Sequence, residues 1–345
     1  MTDILSLYCH DWSPEESYGR IARELAAHLE KEGVHVNRIG GNTPQQTRPI
    51  RMALGGIALG YPTNVQADGE LLKVGPVVWL TMFESTRLPF LWTDILNSGQ
   101  AVVVPSRWQV DTLRDSGVTV PVTVAPLGVS KSFTMQERTQ GRPYTFLTVA
   151  DRGTRRGWDK AGFAFMRAFG DDPNYRLLLK ARKDNPFPGV QNDNIHFIKA
   201  DLTDIEMNAL YGQADCMVWP GREGFGLPPR EFAATGGTSI ALNWGGTADD
   251  LPQWGLPIKV AGMVSAWKSH SKYEGVGQWA DPDVDDLATT MLHVAANRDF
   301  YRERARQQAA FVRLKYQWST FSETVLEVWK EACIQHAQRN IRRAV

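Results

Sequence analysis

Two carboxylates with seven residues between them, Glu223 and Glu231, stand in the stretch from Trp219 to Glu231, W-P-G-R-E-G-F-G-L-P-P-R-E. A carboxylate repels phosphate and accepts hydrogen bonds, so its natural donors here are hydroxyls such as those of a sugar. Between the two glutamates stand two glycines and two prolines, residues that lack side-chain bulk or an amide hydrogen. The run Asp215–Trp219 before them reads as a buried strand. Phe232–Thr235 after them reads as the first turn of a helix, closed by Gly236 and Gly237. A loop entering a helix offers backbone N–H groups and the positive end of the helix dipole to an anion such as phosphate. Phosphate and hydroxyls together point to a nucleotide sugar. The plainer reading is a Gly/Pro surface turn with two solvated glutamates.

A second stretch has complementary chemistry. Tyr144–Ala150 alternates like a strand and empties into Asp151–Lys160, which holds Arg152, Arg155 and Arg156 with two glycines. Guanidinium forks match phosphate oxygens, so this loop suits a diphosphate; the alternative is a basic solvated turn. Lys180 ends the strand Arg176–Ala181, where nucleotide contact and a structural salt bridge are both open.

E-G-F-G-L-P-P-R-E resembles the E-x7-E element of retaining GT-B glycosyltransferases, in particular the large family 4. Other segments resemble that family too, and together they cover most of the chain. Thr81–Pro89 is similar to its T-x-x-E-x-x-x-x-P loop, Val104–Trp108 to V-P-S-x-W, and Val124–Val129 to V-x-P-x-G-V. Leu177–Lys180 is similar to L-x-L-K, and Gly245-Gly246 to a glycine pair that abuts the sugar nucleotide. The family has an arginine and then R-K-G where this chain has Arg152 and then Arg155-Arg156-Gly157; arginine in place of lysine keeps the charge.

The resemblance implies an α/β chain of GT-B fold, two Rossmann-like domains facing each other across a cleft. It implies an acceptor-side N-terminal domain, residues 1–138, with a C-terminal helix at about 320–345 packing back on it. Residues 143–319 become the nucleotide-sugar-binding domain, and Ser130–Pro143 the linker. The diphosphate of a UDP- or GDP-sugar falls to Arg152, Arg156 and the amides of Phe225, Gly226 and Leu227. Glu231 and Lys180 fall to the ribose and nucleoside, and Glu223 to the donor sugar, with net retention at the anomeric carbon. Trp12, Ser17, Tyr18 and Gly19, in the first loop, become acceptor-side candidates; each is otherwise part of an ordinary surface loop. Many relatives carry a cleft histidine near the T-x-x-E segment, but this chain has no histidine between His35 and His196. Glu84 is the nearest chemical substitute, unless it is solvated or paired with Arg87.

Neither a metal nor a cofactor is implied. Asp281-Pro282-Asp283 and Asp283-Val284-Asp285 formally match the metal-binding D-x-D of another glycosyltransferase fold, but they precede a helical pattern, which capping explains better. The acceptor is open among glycans, lipid carriers, proteins, small molecules and a hydroxylated DNA base. Two other classes stay in view: a nucleotide-sugar epimerase or hydrolase of the same fold, and a non-catalytic sugar-nucleotide binder.

Composition sets the bounds. A chain of 345 residues suggests two domains of Rossmann size. Lysine plus arginine balances aspartate plus glutamate at 38 each, so bulk charge gives no support for nucleic acid or membrane binding. Three scattered cysteines in apolar segments, the lack of an evident leader and the lack of a long apolar run give the expectation of a cytoplasmic protein without a transmembrane segment. The opening strand, helix and strand form a β-α-β start without G-x-G-x-x-G, so the dinucleotide-dehydrogenase fingerprint is absent.

Overall fold

The computed structural model describes residues 4–14, 16–43, 53–64, 75–138, 142–149, 154–182, 192–266 and 276–344. The chain divides into two compact units, one of residues 1–83, 87–128 and 317–345, the other of residues 84–86 and 129–316.

The first unit is a six-stranded parallel sheet of β1 (Ile4–Asp11), β2 (His35–Gly41), β3 (Gly55–Leu59), β4 (Val77–Leu80), β5 (Ala101–Val104) and β6 (Val122–Val124), in the order β2-β1-β3-β4-β5-β6. Helices α1 (Ser17–Lys31), α2 (Phe90–Asn97) and α3 (Arg107–Asp115) join its strands. The central strands are buried along their length, as strands covered on both faces must be. β3 is a strand the residue pattern does not announce, because Gly55 and Gly56 remove the apolar side chains that mark one. Ser106 takes the N-cap position of α3, but no backbone amide bonds its side chain; instead the Gln109 side chain donates to its hydroxyl at 3.2 Å.

The second unit is built on another parallel sheet: β7 (Tyr144–Val149), β8 (Tyr175–Ala181), β9 (Ile195–Lys199), β10 (Cys216–Trp219), β11 (Thr238–Leu242) and β12 (Gly255–Ile258), ordered β12-β11-β10-β7-β8-β9. Helices α4 (Trp158–Phe169), α5 (Asp204–Gly212) and α6 (Leu227–Ala234) connect them. An antiparallel pair, β13 (Val260–Ser265) and β14 (Gln278–Pro282), precedes α7 (Val284–Ala296) and α8 (Arg298–Lys315). Phe146, Phe165, Phe169, Leu177, Ile240 and Met291 belong to the core between sheet and helices. The final helix α9 (Trp318–Ala344) returns to the first unit and packs on α1, β3 and β4. Among the described residues no helix is long and apolar enough to cross a membrane.

Strand order places the site. In the second sheet the chain runs outward from β7 to β9, then returns beside β7 as β10 and runs the other way. The strand order thus reverses between neighbouring strands β7 and β10, and it is outside the C-terminal ends of strands at such a reversal that open α/β sheets hold ligands.

Candidate functional site

The β10 loop is fully buried. Residues from Pro220 to Gly226 all lie in the interior, which corrects the picture of a turn exposed to solvent. α6 also starts earlier than the pattern suggests, at Leu227 with Pro228 and Pro229 in its first turn. Proline fits there, because the amides of a helix's first turn have no intrahelical acceptor in any case. Gly226 caps the helix with φ of 84°. Arg230, one turn in, holds the loop from within. It donates to the carbonyls of Phe225, of Gly226 at 3.3 Å and of Gly246 at 3.0 Å. Gly246 in turn donates to the Glu223 carbonyl at 2.8 Å. A Cβ on Gly246 would meet the Gly224 carbonyl oxygen at 1.8 Å, so the glycine pair is needed for close packing against this loop.

The structure brings the acidic and basic stretches together. Glu223 lies between two guanidiniums, with Arg156 at 3.0 Å and Arg155 at 3.2 Å. Glu84 groups with this second unit and lies 3.5 Å from Arg155. Arg155 also donates to the Arg222 carbonyl at 2.6 Å, which ties the β7 loop to the β10 loop. Arg156 lies over the Trp219 ring, its guanidinium carbon 5.0 Å from the centroid. Arg152 falls outside the described residues. The cluster holds two positive and two negative side chains, so an arriving phosphate competes with Glu223 for the same guanidiniums. Arg155 was not singled out in the sequence; its link to both glutamates is a fact of folding.

The other nucleoside candidates are interior groups. Glu231 is 4% exposed and accepts from the Tyr211 hydroxyl of α5 at 3.3 Å. Lys180 is buried at the C-terminal end of β8. His196 is exposed on β9.

In the first unit, Trp12 has no exposed surface, and its indole N–H donates to the Ile39 carbonyl at 2.9 Å. This tryptophan is a core residue. Ser17 is exposed at the start of α1. The Tyr18 hydroxyl donates to the Met82 carbonyl at 3.2 Å and accepts from the Met82 amide at 3.1 Å. Gly19 is buried, and a Cβ there would meet the Ser13 carbonyl oxygen at 2.2 Å. Its place is set by the packing of α1 on its own loop.

The aspartates of the D-x-D matches have structural partners. Asp281 pairs with Lys160 at 3.0 Å and Arg222 at 3.1 Å. Asp283 caps α7 by accepting from the amides of Asp285 and Asp286, and Asp285 pairs with Arg167 at 2.6 Å. Among the described residues no group of three or more His, Cys, Asp or Glu side chains is placed to hold a metal ion.

Behind the loop, Asp250 collects Arg230 at 3.0 Å, Lys315 at 2.6 Å, the Trp254 indole at 2.8 Å and the Tyr316 hydroxyl. Burial alone pushes this carboxyl up; the charge of Arg230 and the bonds from Lys315, Tyr316 and Trp254 outweigh it and hold Asp250 at about 2. A carboxyl lowered from an unfolded value of ~3.9 contributes about 2.6 kcal/mol of stability, complete above that value and lost as pH falls towards 2. Asp250→Asn should therefore abolish this component, leaving a shallower loss of stability between pH ~4 and ~2. Urea midpoints of parent and variant across that range check the sign; parallel curves would refute it.

No protein-family model and no curated protein matches the chain. Solved structures do match it over nearly its whole length. Sucrose-phosphate synthase from Thermosynechococcus elongatus aligns with a TM-score of 0.72 at 15% identity, over 95% of this chain and 98% of that one. HepE from Anabaena, in complex with UDP and glucose, aligns at 0.69 and 10% identity, over 95% and 100%. A trehalose 6-phosphate synthase from Burkholderia multivorans aligns at 0.64 and 10% identity, over 98% of each chain. These neighbours are GT-B glycosyltransferases, and at such identities the likeness carries the fold: this chain has the GT-B fold.

Proposed function

We propose that the chain is a retaining glycosyltransferase, moving a sugar, most simply a hexose, from a nucleotide sugar to a hydroxyl acceptor. The observation that carries this reading is Glu223 held between Arg155 and Arg156, beyond neighbouring strands β7 and β10 where the strand order reverses. The pairing places positive charge for a diphosphate beside a carboxylate acceptor for sugar hydroxyls. Neighbours of the same fold support it, since one was solved with UDP-glucose and another is described as a UDP-forming trehalose-phosphate synthase.

In this reading the diphosphate exchanges places with Glu223 at Arg156, with Arg152 and the amides of Phe225, Gly226 and Leu227 completing its cradle. Charge that develops on the departing nucleoside diphosphate is stabilised by groups already in position, the electrostatic contribution that is usually largest in catalysis. Glu223, released from Arg156, accepts from the donor sugar, while Glu231 and Lys180 serve the nucleoside. Glu84 holds Arg155 and so the geometry of the cluster. Ser17 and Tyr18 belong to the acceptor side.

The test is turnover of a panel of UDP- and GDP-sugars with and without candidate acceptors, and the anomeric configuration of the product read by NMR. Donor consumption that ignores every acceptor indicates a hydrolase or epimerase. Inversion of configuration removes the retaining assignment.

Two outcomes follow from the arginines. Because guanidiniums supply the charge that a divalent ion would otherwise bring, transfer should persist in excess chelator; complete loss, restored by magnesium or manganese, contradicts this. Arg156→Ala should weaken nucleoside diphosphate binding roughly tenfold to a hundredfold, the worth of a charge-assisted bond of about 1.5–3 kcal/mol. Arg152→Ala should do the same. Calorimetric titration measures both, and parental affinity in the two variants would misplace the site.

A further inference from the structure

Guanidiniums also crowd the opposite end of the second sheet. Tyr144 opens β7, Asp215 directly precedes β10 and Thr238 opens β11, three adjacent strands. These residues line a recess together with Arg138, Arg298 and Arg302, and Arg142 stands beside it. β7 has six residues and rises roughly 3.3 Å per residue. Recess and Glu223 cluster thus lie at opposite ends of the same strands.

Charge here is unbalanced. Arg138 is satisfied by the Ala214 carbonyl at 2.8 Å and by the Thr235 carbonyl and hydroxyl at 3.0 Å each. Asp215 Oδ2 accepts from Arg142 at 2.9 Å and from the Thr145 amide at 2.9 Å, and Arg298 lies 3.5 Å from the same oxygen. A second carboxylate, Asp299, is 88% exposed and 3.6 Å from Arg302. Among the described residues, one buried carboxylate therefore stands with four guanidiniums. Burial draws the Arg138 guanidinium down to about 10; Asp215 opposes this, while Arg142 and Arg302 add to it.

Two independent observations show an acceptor is wanted. Arg142 Nη2, Arg298 Nε and Arg302 Nη2 are buried nitrogens without a hydrogen-bond acceptor among the described residues, and Arg298 Nη2 has a long 3.5 Å approach to Asp215 that falls short of hydrogen-bond geometry. Buried charged donors of this kind are costly to leave unsatisfied. Arg298 and Arg302 also occupy the opening turns of the 18-residue helix α8, where the dipole is positive and cations are disfavoured. An anion in the recess removes both penalties at once. The arginine side chains at its rim, Arg142, Arg298 and Arg302, are 23%, 28% and 18% exposed, so the recess is reached from solvent.

We infer that this recess binds a tetrahedral oxyanion, phosphate or the phosphate monoester of a small metabolite, at a site separate from the Glu223 cluster. Arg298 and Arg302 line the recess, and Arg142 reaches the same Asp215 oxygen as Arg298; guanidinium forks suit multiple oxygens on one centre. The inference stands whether or not the chain transfers sugars.

The test is calorimetric titration with inorganic phosphate, with glycerol 3-phosphate, and with potassium chloride at matched ionic strength. The proteins are the parent, the double variant Arg298→Gln/Arg302→Gln, Arg302→Lys and Arg156→Ala. Phosphate should bind the parent and Arg156→Ala with equal Kd, and the double variant should raise that Kd at least tenfold. Arg302→Lys keeps the charge but loses the fork, and should raise it severalfold. Circular dichroism melts establish that the variants fold; if the double variant does not, Arg302→Lys decides. Tighter binding of glycerol 3-phosphate than of phosphate identifies a metabolite as the occupant, and the reverse identifies the free ion. The inference is overturned if phosphate binds no better than chloride, if Arg302→Lys leaves Kd unchanged, or if binding is lost in Arg156→Ala instead.

Discussion

Glu223→Gln is expected to tighten binding of a free nucleoside diphosphate about tenfold while slowing transfer about a hundredfold. In the parent, the Glu223 carboxylate lies 3.0 Å from Arg156 and 3.2 Å from Arg155, so a diphosphate must displace it before it reaches those guanidiniums. Glutamine keeps the shape and removes the competing charge. The gain is a fraction of a charge-assisted bond, about 1.4 kcal/mol. Transfer moves the other way, because the donor sugar loses its carboxylate acceptor in the transition state, a loss of about 3 kcal/mol. Glu231→Gln should differ in both respects, weakening free nucleoside diphosphate and intact donor alike by roughly tenfold. Calorimetry with nucleoside diphosphate, set beside an assay of transfer, separates the two glutamates. Equal losses of nucleotide affinity in both variants would refute this division of roles.

Arg230→Met should destabilise the second unit by about 3–5 kcal/mol, the cost of leaving one member of a buried ion pair alone. Arg230 is 1% exposed and pairs with Asp250 at 3.0 Å. It also satisfies the carbonyls of Phe225, Gly226 and Gly246, and its guanidinium stacks over Phe225 and Trp254. Methionine fills part of the volume but bonds to none of these groups. The double variant Arg230→Met/Asp250→Asn should recover part of the loss, because the stranded charge is gone; urea unfolding of the single and double variants measures it. Since the same carbonyls belong to the loop that presents Glu223, the folded variant should also bind nucleoside diphosphate more weakly. A stability within 1 kcal/mol of the parent would show that Arg230 is not the staple of this loop.

The architecture was legible at the level of individual elements. β7, β8 and β10 are short strands rich in apolar residues that run out at Asp151, Arg182 and Pro220, and local pattern suffices where burial is continuous. The opening strand, helix and strand were legible in the same local way. Element ends were less legible: α6 begins at Leu227, ahead of the apolar residues that mark it, because its first turn is prolines. β3 carries too little side chain to show a pattern, and α8 carries many charged residues. The GT-B fold was an implication of the family resemblance, and the structural neighbours support it.

By itself, the sequence determined which residue types stand next to which turns: glutamates bracketing a Gly/Pro loop, arginines after an apolar strand, aspartates before a helix. Those are local facts, set by side-chain chemistry and by the backbone limits of glycine and proline. Tertiary structure decided who meets whom. That Glu223 closes on Arg155 and Arg156 depends on β10 returning beside β7, across 67 residues in the pairing of Arg155 with Arg222. That Arg230 finds Asp250, or that Trp12 turns inward, follows from the packing of groups distant in sequence. Ion pairs and buried hydrogen bonds are made in the order that chain crossings permit, and no spacing rule along the chain encodes that order.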